Sequence, residues 1–448
     1  MPAVDTIAAI ATPPGKGGVC IVRVSGPHAG DIAVAITGKL PQPRYATFCH
    51  FRLNDEIIDE GLALYFPGPG SFTGEDVLEL HGHGGVVVSD MILQAVLKAG
   101  ARMARPGEFS ERAYLNDKLD LIQAESVVDL IEAGSQQAAR AAIRSLDGEF
   151  SAHISELLSE LTELRVYVES ALDFSDEEIE FLQSGDIANK LEYLKEKIHQ
   201  LTVSAERGCI LSEGLQIVIA GKPNAGKSSL MNSLCGRDSA IVTDVPGTTR
   251  DVLREKVAIR GIPVHLHDTA GLRDQAEPVE QEGIKRAKNH IATADLVLWI
   301  HDDTTGFEPG DVDFLPHDKL LIICNKIDLS GNPAGETNMD CCDALRVSVA
   351  SGQGLEQLEQ YIVAHTMKGA PTENEFTARR RHLYALQETE NYLDNAITRL
   401  SEQFATGAGG ELLAEELRLA QHSLGEITGV FTSDDLLGKI FSEFCIGK

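Results

Sequence analysis

The 448-residue sequence predicts a multidomain protein of mixed α+β and α/β class. Three patterns support this prediction. Residues 1–117 contain short strand-like segments between glycine-rich turns, which indicates an N-terminal α+β domain. Residues 118–212 and 373–448 carry apolar side chains at helical spacing, which indicates one discontinuous α-helical bundle. Residues 213–372 alternate strand-like runs with loops and helices, which indicates an α/β domain inserted between the two helical stretches through closely placed linkers.

Glycine-rich turns divide the N-terminal domain. They lie at Gly15–Gly18, Pro67–Gly70 and His81–Gly85. His81 and His83 could ligate a metal ion, but the sequence places no third ligand near them. A glycine-flanked turn is therefore the favoured interpretation.

The helical stretches show apolar stripes with a period near 3.6 residues. In the first stretch the stripes are Leu121, Ala124, Val128 and Ile131, then Ile154, Leu157, Leu161, Leu164 and Val168, then Leu191, Leu194, Ile198 and Leu201. In the second stretch they are Leu383, Leu386, Leu393, Ile397 and Leu400, then Leu413, Leu417, Ala420 and Leu424. Neither stretch alone has much core to bury, so we expect one bundle built from both.

A phosphate-binding loop occupies Gly221–Ser228. The apolar run Leu215–Ala220 precedes it as a strand, and a helix follows from Ser229. The backbone N–H groups of the loop and the helix N-terminus can therefore converge on phosphate oxygens. In such a loop Lys227 reaches the β- and γ-phosphates and the following serine binds Mg²⁺.

Two further motifs stand at the ends of apolar strands. Asp268–Gly271 reads Asp-Thr-Ala-Gly, and its aspartate belongs to the magnesium shell. Asn325–Asp328 reads Asn-Lys-Ile-Asp, and the Asp328 carboxylate can accept hydrogen bonds from both N1–H and the exocyclic amine of guanine. Adenine lacks these paired donors and would leave a buried anion unpaired. With a threonine of Gly247–Asp251 closing over Mg²⁺ and the γ-phosphate, these motifs predict a Ras-like P-loop domain that binds GTP.

Leu272 follows the Asp-Thr-Ala-Gly motif, where many small GTPases place a glutamine that orients the attacking water. Because leucine cannot hydrogen-bond to water, hydrolysis is either very slow or depends on another carboxylate and another charge. Glu280 could orient the water, although from the residues alone a solvated loop charge is the simpler interpretation.

The composition is strongly acidic, with 68 Asp and Glu residues against 39 Lys and Arg and a net charge of −29. Phosphate binding depends on Lys and Arg, so a basic partner or a small local patch would have to contact any RNA. The eight cysteines form no C-x-x-C pair, which argues against a zinc site or a disulfide framework and predicts a cytoplasmic location. We find neither a signal-peptide pattern nor an apolar stretch long enough to span a bilayer.

Cys445 stands four residues from the end of the sequence. A prenylation signal is disfavoured because Gly447 is not aliphatic and Lys448 is a poor final residue. A buried cysteine at a helix end and a thiol delivered to an active site both remain open.

The sequence resembles the tRNA-modification GTPase family MnmE, also called TrmE, over nearly its whole length. The motifs that carry the resemblance are Asp5–Ile7, Thr12–Gly18, Phe72–Asp76, His83–Gly85, Arg105–Phe109, Leu115–Leu121 and Cys445–Lys448. The last of these is shared by few other GTPases, and the motifs are jointly very specific.

The resemblance implies a folate-binding N-terminal domain that also forms a homodimer. Arg23, Glu79, Lys118 and Lys448 would contact a formyl- or methylene-tetrahydrofolate, and Cys445 would lie near it as a catalytic thiol. The resemblance also implies an FAD-dependent partner, MnmG, in a heterotetramer. The two proteins would add an aminomethyl or carboxymethylaminomethyl group to C5 of the wobble uridine of tRNA, and the partner could supply the basic surface that contacts tRNA.

The same resemblance implies that K⁺ activates the GTPase domains by helping them dimerise, in the place of an arginine finger. Asn224, Thr243, the carbonyl of Val245 and Thr248 would bind K⁺. Glu280 would be the catalytic residue that orients water, which reverses the simpler interpretation given above.

The motifs and the resemblance together define a set of nucleotide-binding residues. Ser228 and Thr249 would bind Mg²⁺. The GTP-binding residues are Asn224, Ala225, Gly226, Lys227, Ser228, Ser229, Thr243, Asp244, Val245, Pro246, Gly247, Thr248, Thr249, Asp268, Thr269, Ala270, Gly271, Asn325, Lys326, Asp328 and Ser348. The base-contacting loop departs from the usual Ser-Ala-Lys pattern, since it reads Ser348-Val349-Ala350 here.

Two other functions remain open from the sequence. A ribosome-assembly GTPase of the Era/Der type would carry a basic RNA-binding appendage. A dynamin-like membrane GTPase would carry a basic amphipathic or lipid-anchoring segment. The sequence shows neither pattern, and nucleoside analysis of tRNA from a deletion strain would separate these functions from tRNA modification.

Overall fold

The computed structural model contains two compact units. The first comprises Met1–Val128 and His422–Lys448, and the second comprises Asp129–Gln421. The described residues are 5–54, 56–173, 186–237, 254–268, 291, 294–339, 342–366, 375–406, 410–430, 434–442, 444 and 447.

Six strands of the described part of the first unit form one sheet in the order β3-β4-β5-β2-β1-β6. The strands are β1 (Ile7–Ile10), β2 (Val19–Ser25), β3 (Thr47–Leu53), β4 (Glu56–Phe66), β5 (Val77–His83) and β6 (Arg102–Met103). Only β1 and β6 pair in parallel; the other neighbours are antiparallel. This sheet confirms the α+β class predicted for the N-terminal part.

Helices α1 (Ala29–Thr37) and α2 (Val86–Lys98) contribute to the core on one face of this sheet. Side chains alternate along β3, so Phe51 is buried in that core while Phe48 is exposed on the other face. The core therefore lies between the sheet and the two helices.

A second hydrophobic cluster of the first unit contains residues near the C-terminus, among them Phe441 and Phe444. Helices α3 (Glu108–Leu115), α4 (Leu121–Glu132) and α13 (Asp434–Ser442) contribute to it. Gly107 has φ 67°, and a Cβ there would lie 2.4 Å from the carbonyl oxygen of Phe441, so only glycine allows this approach.

The second unit contains long helices whose predicted apolar stripes are mostly buried. They are α5 (Gln136–Leu146), α6 (Glu149–Asp173), α7 (Asp186–Glu213), α11 (Arg380–Thr406) and the first part of α12 (Gly410–Thr428), which continues into the first unit after Gln421. Helices α7 and α11 pack together although the α/β domain separates them in sequence. The interaction between them confirms a bundle built from both helical stretches.

Seven strands of the described part of the second unit form a sheet in the order β12-β13-β11-β10-β7-β9-β8. They are β7 (Leu215–Gly221), β8 (Arg254–Ile259), β9 (Ile262–Asp268), β10 (Leu296–Asp302), β11 (Leu320–Asn325), β12 (Gly335–Met339) and β13 (Cys342–Arg346). The five inner strands run parallel, and β8 and β12 pair antiparallel at the two edges.

Helices and short turns surround this sheet. They are α8 (Lys227–Arg237), α9 (Ile327–Ser330), α10 (Leu355–Thr366) and the 3₁₀ turns Pro309–Asp311 and His317–Lys319. Ile217 and Ile219 lie in one hydrophobic core whereas Val218 lies in another, as expected for a sheet covered on both faces. β9 lies on one side of β7 and β10 lies on the other, so the order of the parallel strands reverses between β7 and β10. In open α/β sheets, ligands bind at the carboxyl ends of the strands beside such a reversal.

Apolar and histidine residues alternate over Val264–His267, which predicts a half-buried strand before Asp268. The strand is present as part of β9, but the predicted alternation of burial is wrong at one position. His267 is 6% exposed, close to the burial of Leu266. Its Nε2 lies 2.9 Å from Oε1 of Gln216 on the neighbouring strand, which gives the buried ring a polar partner.

Within the described residues, we find no helix whose length and apolar character would allow it to cross a bilayer.

Candidate functional site

The predicted phosphate loop connects the end of β7 to the start of α8 and depends on two glycines. Gly221 has φ 144°, and a Cβ there would lie 2.2 Å from the carbonyl oxygen of Ile300. Gly226 has φ 106°, and a Cβ would lie 2.3 Å from Nδ2 of Asn325. Both positions therefore exclude a side chain, and the loop packs closely against β10 and the end of β11.

Lys227 and Ser228 stand at the beginning of α8. The ammonium of Lys227 donates hydrogen bonds to the carbonyl oxygens of Gly221 at 3.0 Å and Lys222 at 2.9 Å. These bonds hold the lysine across the mouth of the loop. Ser228 is exposed at the helix N-terminus, where backbone N–H groups and the helix dipole favour an anion.

Asn325 connects the phosphate loop to a second loop at the end of β13. Its Nδ2 donates to the carbonyl oxygen of Ala225 at 2.9 Å, and its Oδ1 accepts from the backbone N–H of Val349 at 3.1 Å. The asparagine is only 4% exposed, so both bonds are shielded from water. It therefore fixes the distance between the phosphate loop and the loop that begins at Ser348.

Asp328 lies beside that second loop and is oriented by it. The hydroxyl of the buried Ser348 donates to Oδ1 of Asp328 at 2.6 Å, and the same hydroxyl accepts from the backbone N–H of Ser351 at 3.1 Å. Asp328 itself is exposed. A carboxylate that is both oriented and accessible can accept hydrogen bonds from a base.

Lys326, the remaining polar residue of that motif, lies between Asn325 and Asp328 with left-handed backbone, at φ 70°. Its ammonium donates to Oδ2 of Asp302 at 2.6 Å. Sequence reasoning did not select Asp302. The available signal was its position at the carboxyl end of a buried parallel strand, where polar groups of α/β sheets meet.

Asp268 also lies at this edge of the sheet, since it pairs with Ile219 near the end of β7. Other predicted nucleotide-site residues lie outside the described residues: Thr243, Asp244, Val245, Pro246, Gly247, Thr248, Thr249, Thr269, Ala270, Gly271 and Glu280. The structure thus brings the described phosphate-loop residues together with Asn325, Lys326, Asp328 and Ser348.

A second group of predicted residues meets in the first unit. Arg23 on β2 and Glu79 on β5 are register partners, and Nε of Arg23 donates to Oε1 of Glu79 at 3.0 Å. His81 lies 3.1 Å from the other carboxylate oxygen. This hydrogen bond, with the nearby Arg23 charge, holds the pKa of Glu79 below its usual value despite burial. Glu79 is therefore ionised at neutral pH.

An aromatic ring and the end of the chain lie against the same arginine. The guanidinium carbon of Arg23 is 5.6 Å from the ring centre of Phe72, which allows a cation–π contact. Nη1 of Arg23 lies 3.5 Å from the carbonyl oxygen of Gly447. Cys445 and Lys448, on either side of that glycine, lie outside the described residues.

The turn that carries Phe72 is anchored from two directions. The hydroxyl of Ser25 donates to Glu75 at 2.7 Å, and Arg112 of α3 donates to the same carboxylate at 3.1 Å. Lys118 is exposed, and its side chain lies across this turn, with Cγ 3.3 Å from where a Cβ of Gly74 would stand. Lys118 therefore flanks the turn whose Phe72 contacts Arg23.

The two histidines considered as metal ligands each pair with a carboxylate. His81 contacts Glu79, as above, and Nδ1 of His83 lies 2.8 Å from Oδ1 of Asp59. No group of three or more His, Cys, Asp or Glu side chains among the described residues could hold a metal ion.

Two protein-family models match this chain and together cover most of it. The model for the MnmE helical domain matches residues 121–445, and the model for the N-terminus of the GTP-binding protein TrmE matches residues 6–118. The tRNA modification GTPase MnmE of Nitrosococcus oceani is 54% identical over 449 residues, which cover 99% of this chain and 97% of that protein. MnmE of Shewanella amazonensis is 52% identical over 456 residues, which cover 99% of each chain.

Among solved structures, the G-domain of FeoB from Methanococcus jannaschii matches 34% of this chain and 97% of that chain at 23% identity. Its TM-score of 0.23 is too low to support an argument about this chain. The family models and the full-length relatives, by contrast, confirm the resemblance found in the sequence and the predicted combination of an N-terminal domain, a helical domain and a P-loop GTPase domain. The chain belongs to the MnmE family of tRNA modification GTPases.

Proposed function

We propose that this GTPase is activated by K⁺ and acts with an FAD-dependent partner, MnmG, on C5 of the wobble uridine of tRNA. The group added is aminomethyl or carboxymethylaminomethyl, and its one-carbon unit comes from tetrahydrofolate. As part of the proposal we keep the domain boundaries 1–117, 118–212, 213–372 and 373–448. Since the substrate is tRNA, we place the protein in the cytoplasm.

The observation that carries the nucleotide part is the position of Asn325. Its amide bonds to both the phosphate loop and the Ser348 loop, which supports a GTP site whose two parts are held at a fixed separation. The Asp328 carboxylate, oriented by Ser348, then accepts the paired donors of guanine. ATP lacks these paired donors and would leave the carboxylate incompletely hydrogen-bonded, which disfavours ATP.

The metal ions fit the described part of the loop. Ser228 is exposed at the start of α8, and a hydroxyl there suits Mg²⁺, with Thr249 as the second protein ligand. Asn224 is exposed and has φ 62°, which turns the loop sharply at the residue we assign to K⁺. Thr243, Val245 and Thr248 would complete the K⁺ site. A bound K⁺ supplies positive charge beside the phosphates, where charge develops during hydrolysis.

The folate part rests on the pair Arg23 and Glu79. An ionised carboxylate suits the donor edge of a pterin ring, and a flat ring can lie near Phe72. Lys118 and Lys448 suit the carboxylates of the folate tail. Cys445 precedes Gly447 by two residues, and the Gly447 carbonyl lies against Arg23, which favours a place for this thiol beside the folate.

An exposed apolar pair on the sheet of the first unit suits a dimer contact. Phe48 and Leu62 are register partners on β3 and β4 and are 63% and 40% exposed. We propose that a second copy covers them in the homodimer, because pairing removes this apolar surface from water.

The net charge of −29 favours a basic surface on MnmG as the main contact with tRNA in the heterotetramer. Family membership gives no support to a ribosome-assembly or a membrane-remodelling role.

Arg23→Ala is expected to weaken tetrahydrofolate binding at least tenfold. The change removes the cation that donates a hydrogen bond to Glu79, so the negative charge of this largely buried carboxylate is less well compensated and the carboxylate is less well oriented. Hydrogen bonds to charged groups are worth about 1.5–3 kcal/mol, which corresponds to at least a tenfold change in affinity. Calorimetric titration with tetrahydrofolate measures the loss. Arg52→Ala, at an exposed arginine of the same sheet, is the matched control. Equal affinities for wild type and Arg23→Ala would contradict the folate assignment.

Cys445→Ser is expected to leave GTP hydrolysis intact and to reduce wobble-uridine modification in a deletion strain that carries the variant. The thiol would act as a thiolate on the one-carbon unit, and Lys118, Arg23 or Lys448 must offset the acidic surroundings. Hydrolysis on purified protein and nucleoside analysis of tRNA measure the two activities. Cys445→Ala is the control. Both variants lack the thiol, so if the thiol has a chemical role, modification should fall to the same extent in each. Unchanged modification contradicts the chemical role, whereas a joint fall of both activities assigns the thiol a packing role at the helix end.

A further inference from the structure

Asp302 ends β10 and faces the loop that carries Lys326. The ammonium of Lys326 donates to Oδ2 of Asp302 at 2.6 Å, and the two side chains are 30% and 22% exposed. Partial shielding from water strengthens a charge-assisted hydrogen bond. The contact therefore restrains a lysine side chain that would otherwise sample many rotamers.

Asp302 is itself fixed. Its other oxygen, Oδ1, accepts from the backbone N–H of Thr304 at 3.1 Å and from the Thr304 hydroxyl at 2.7 Å. These bonds leave Oδ2 directed at Lys326. Chiefly because of the hydrogen bond from Lys326, the pKa of Asp302 falls to about 2, so the carboxylate is charged under all ordinary conditions.

The backbone on the lysine side is also constrained. Lys326 adopts φ 70° and ψ 35°, a left-handed conformation that costs a non-glycine residue about 1 kcal/mol or more. The adjacent aspartate, Asp303, donates its backbone N–H to the carbonyl oxygen of Asn325 at 2.8 Å. The end of β10 therefore holds the guanine-binding motif at two points. One is the backbone carbonyl of Asn325, and the other is the side chain of Lys326.

We propose that Asp302 is a positioning residue for guanine nucleotides, acting by holding the Lys326 side chain between Asn325 and Asp328. The inference rests on the guanine site proposed above. A restrained lysine presents its methylene stem to the flat base without losing rotamer freedom when the nucleotide binds. Asp302 needs no contact of its own with the nucleotide.

The test is nucleotide affinity of the full-length protein carrying Asp302→Asn. We expect the dissociation constant for a fluorescent methylanthraniloyl-GDP to rise about five- to tenfold, because the unrestrained Lys326 side chain then loses rotamer freedom when the nucleotide binds. The KM for GTP should rise by a similar factor while kcat at saturating GTP stays unchanged. Asp302→Glu keeps the charge and should restore part of the affinity. Asp313→Asn makes the same charge change at an exposed aspartate of the same unit and should have no effect.

A double-mutant cycle with Lys326→Met separates positioning from a general loss of structure. Asp302→Asn should add nothing to the affinity loss of Lys326→Met, and both single variants should remain folded at the assay temperature, which far-UV circular dichroism measures. Full additivity, unchanged affinity or tighter GDP binding in Asp302→Asn would overturn the proposal. Failure of the guanine site itself looks different, because wild-type protein would then bind ADP as well as GDP.

Discussion

Glu280→Ala is expected to lower GTP turnover by roughly 10²–10⁴-fold while nucleotide affinity stays near normal. Leu272 occupies the position of the usual water-orienting glutamine, so another group must align the water, and we assign that task to the Glu280 carboxylate. A residue that contacts only the attacking water affects the transition state and not the bound ground state. Single-turnover hydrolysis and GDP titration of the same variant measure the two quantities.

Glu282→Ala is the matched control, since it removes a carboxylate two positions further along the sequence. That variant should hydrolyse GTP at the wild-type rate. A loss of GTP affinity parallel to the loss of turnover in Glu280→Ala would instead assign Glu280 a structural role.

GTP hydrolysis is expected to be at least tens of fold faster in KCl than in NaCl at equal ionic strength. Arginine fingers contribute ~10³–10⁵ in rate by placing positive charge beside the phosphates, and a bound K⁺ would supply such a charge here. Na⁺ is smaller and would not reach the same ligands together. Steady-state rates in the two salts measure the effect.

Asn224→Ala should remove most of the difference between the salts, because it deletes a side-chain ligand of K⁺ within the phosphate loop. Its hydrolysis in NaCl should stay near the wild-type NaCl rate. Equal wild-type rates in the two salts would contradict K⁺ activation, whatever the behaviour of the variant.

The meeting of the described nucleotide motifs at one edge of the sheet was predictable from the sequence because these motifs follow apolar strands. Parallel strands bring their carboxyl ends to one edge of a sheet, so Asn325 had to lie near the phosphate loop. The bond from its amide to the Ala225 carbonyl could not be predicted, since it depends on the register of β7, β10 and β11. Asp302 was missed for a related reason: the register of β10 and β11 pairs it with Asn325 and so places it beside Lys326.

Arg23 and Glu79 belong to no local sequence pattern, so only the resemblance to the MnmE family pointed to them. Arg23 and Glu79 are 56 positions apart, and only the pairing of β2 with β5 makes them neighbours. Periodicity also misplaced an end residue. Ile131 fits the apolar stripe of α4 but is 48% exposed, because the stripe faces the core only in the first turns, around Leu121 and Ala124.

The central claim is that hydrolysis at this GTP site serves wobble-uridine modification. Nucleoside analysis of tRNA from a deletion strain that carries either wild-type protein or Glu280→Ala tests it most directly. The account predicts that the wild-type protein restores the aminomethyl-type nucleosides and that the variant, present at an equal level, leaves the wobble uridine without them. Full modification with a variant shown to have lost hydrolysis would contradict it.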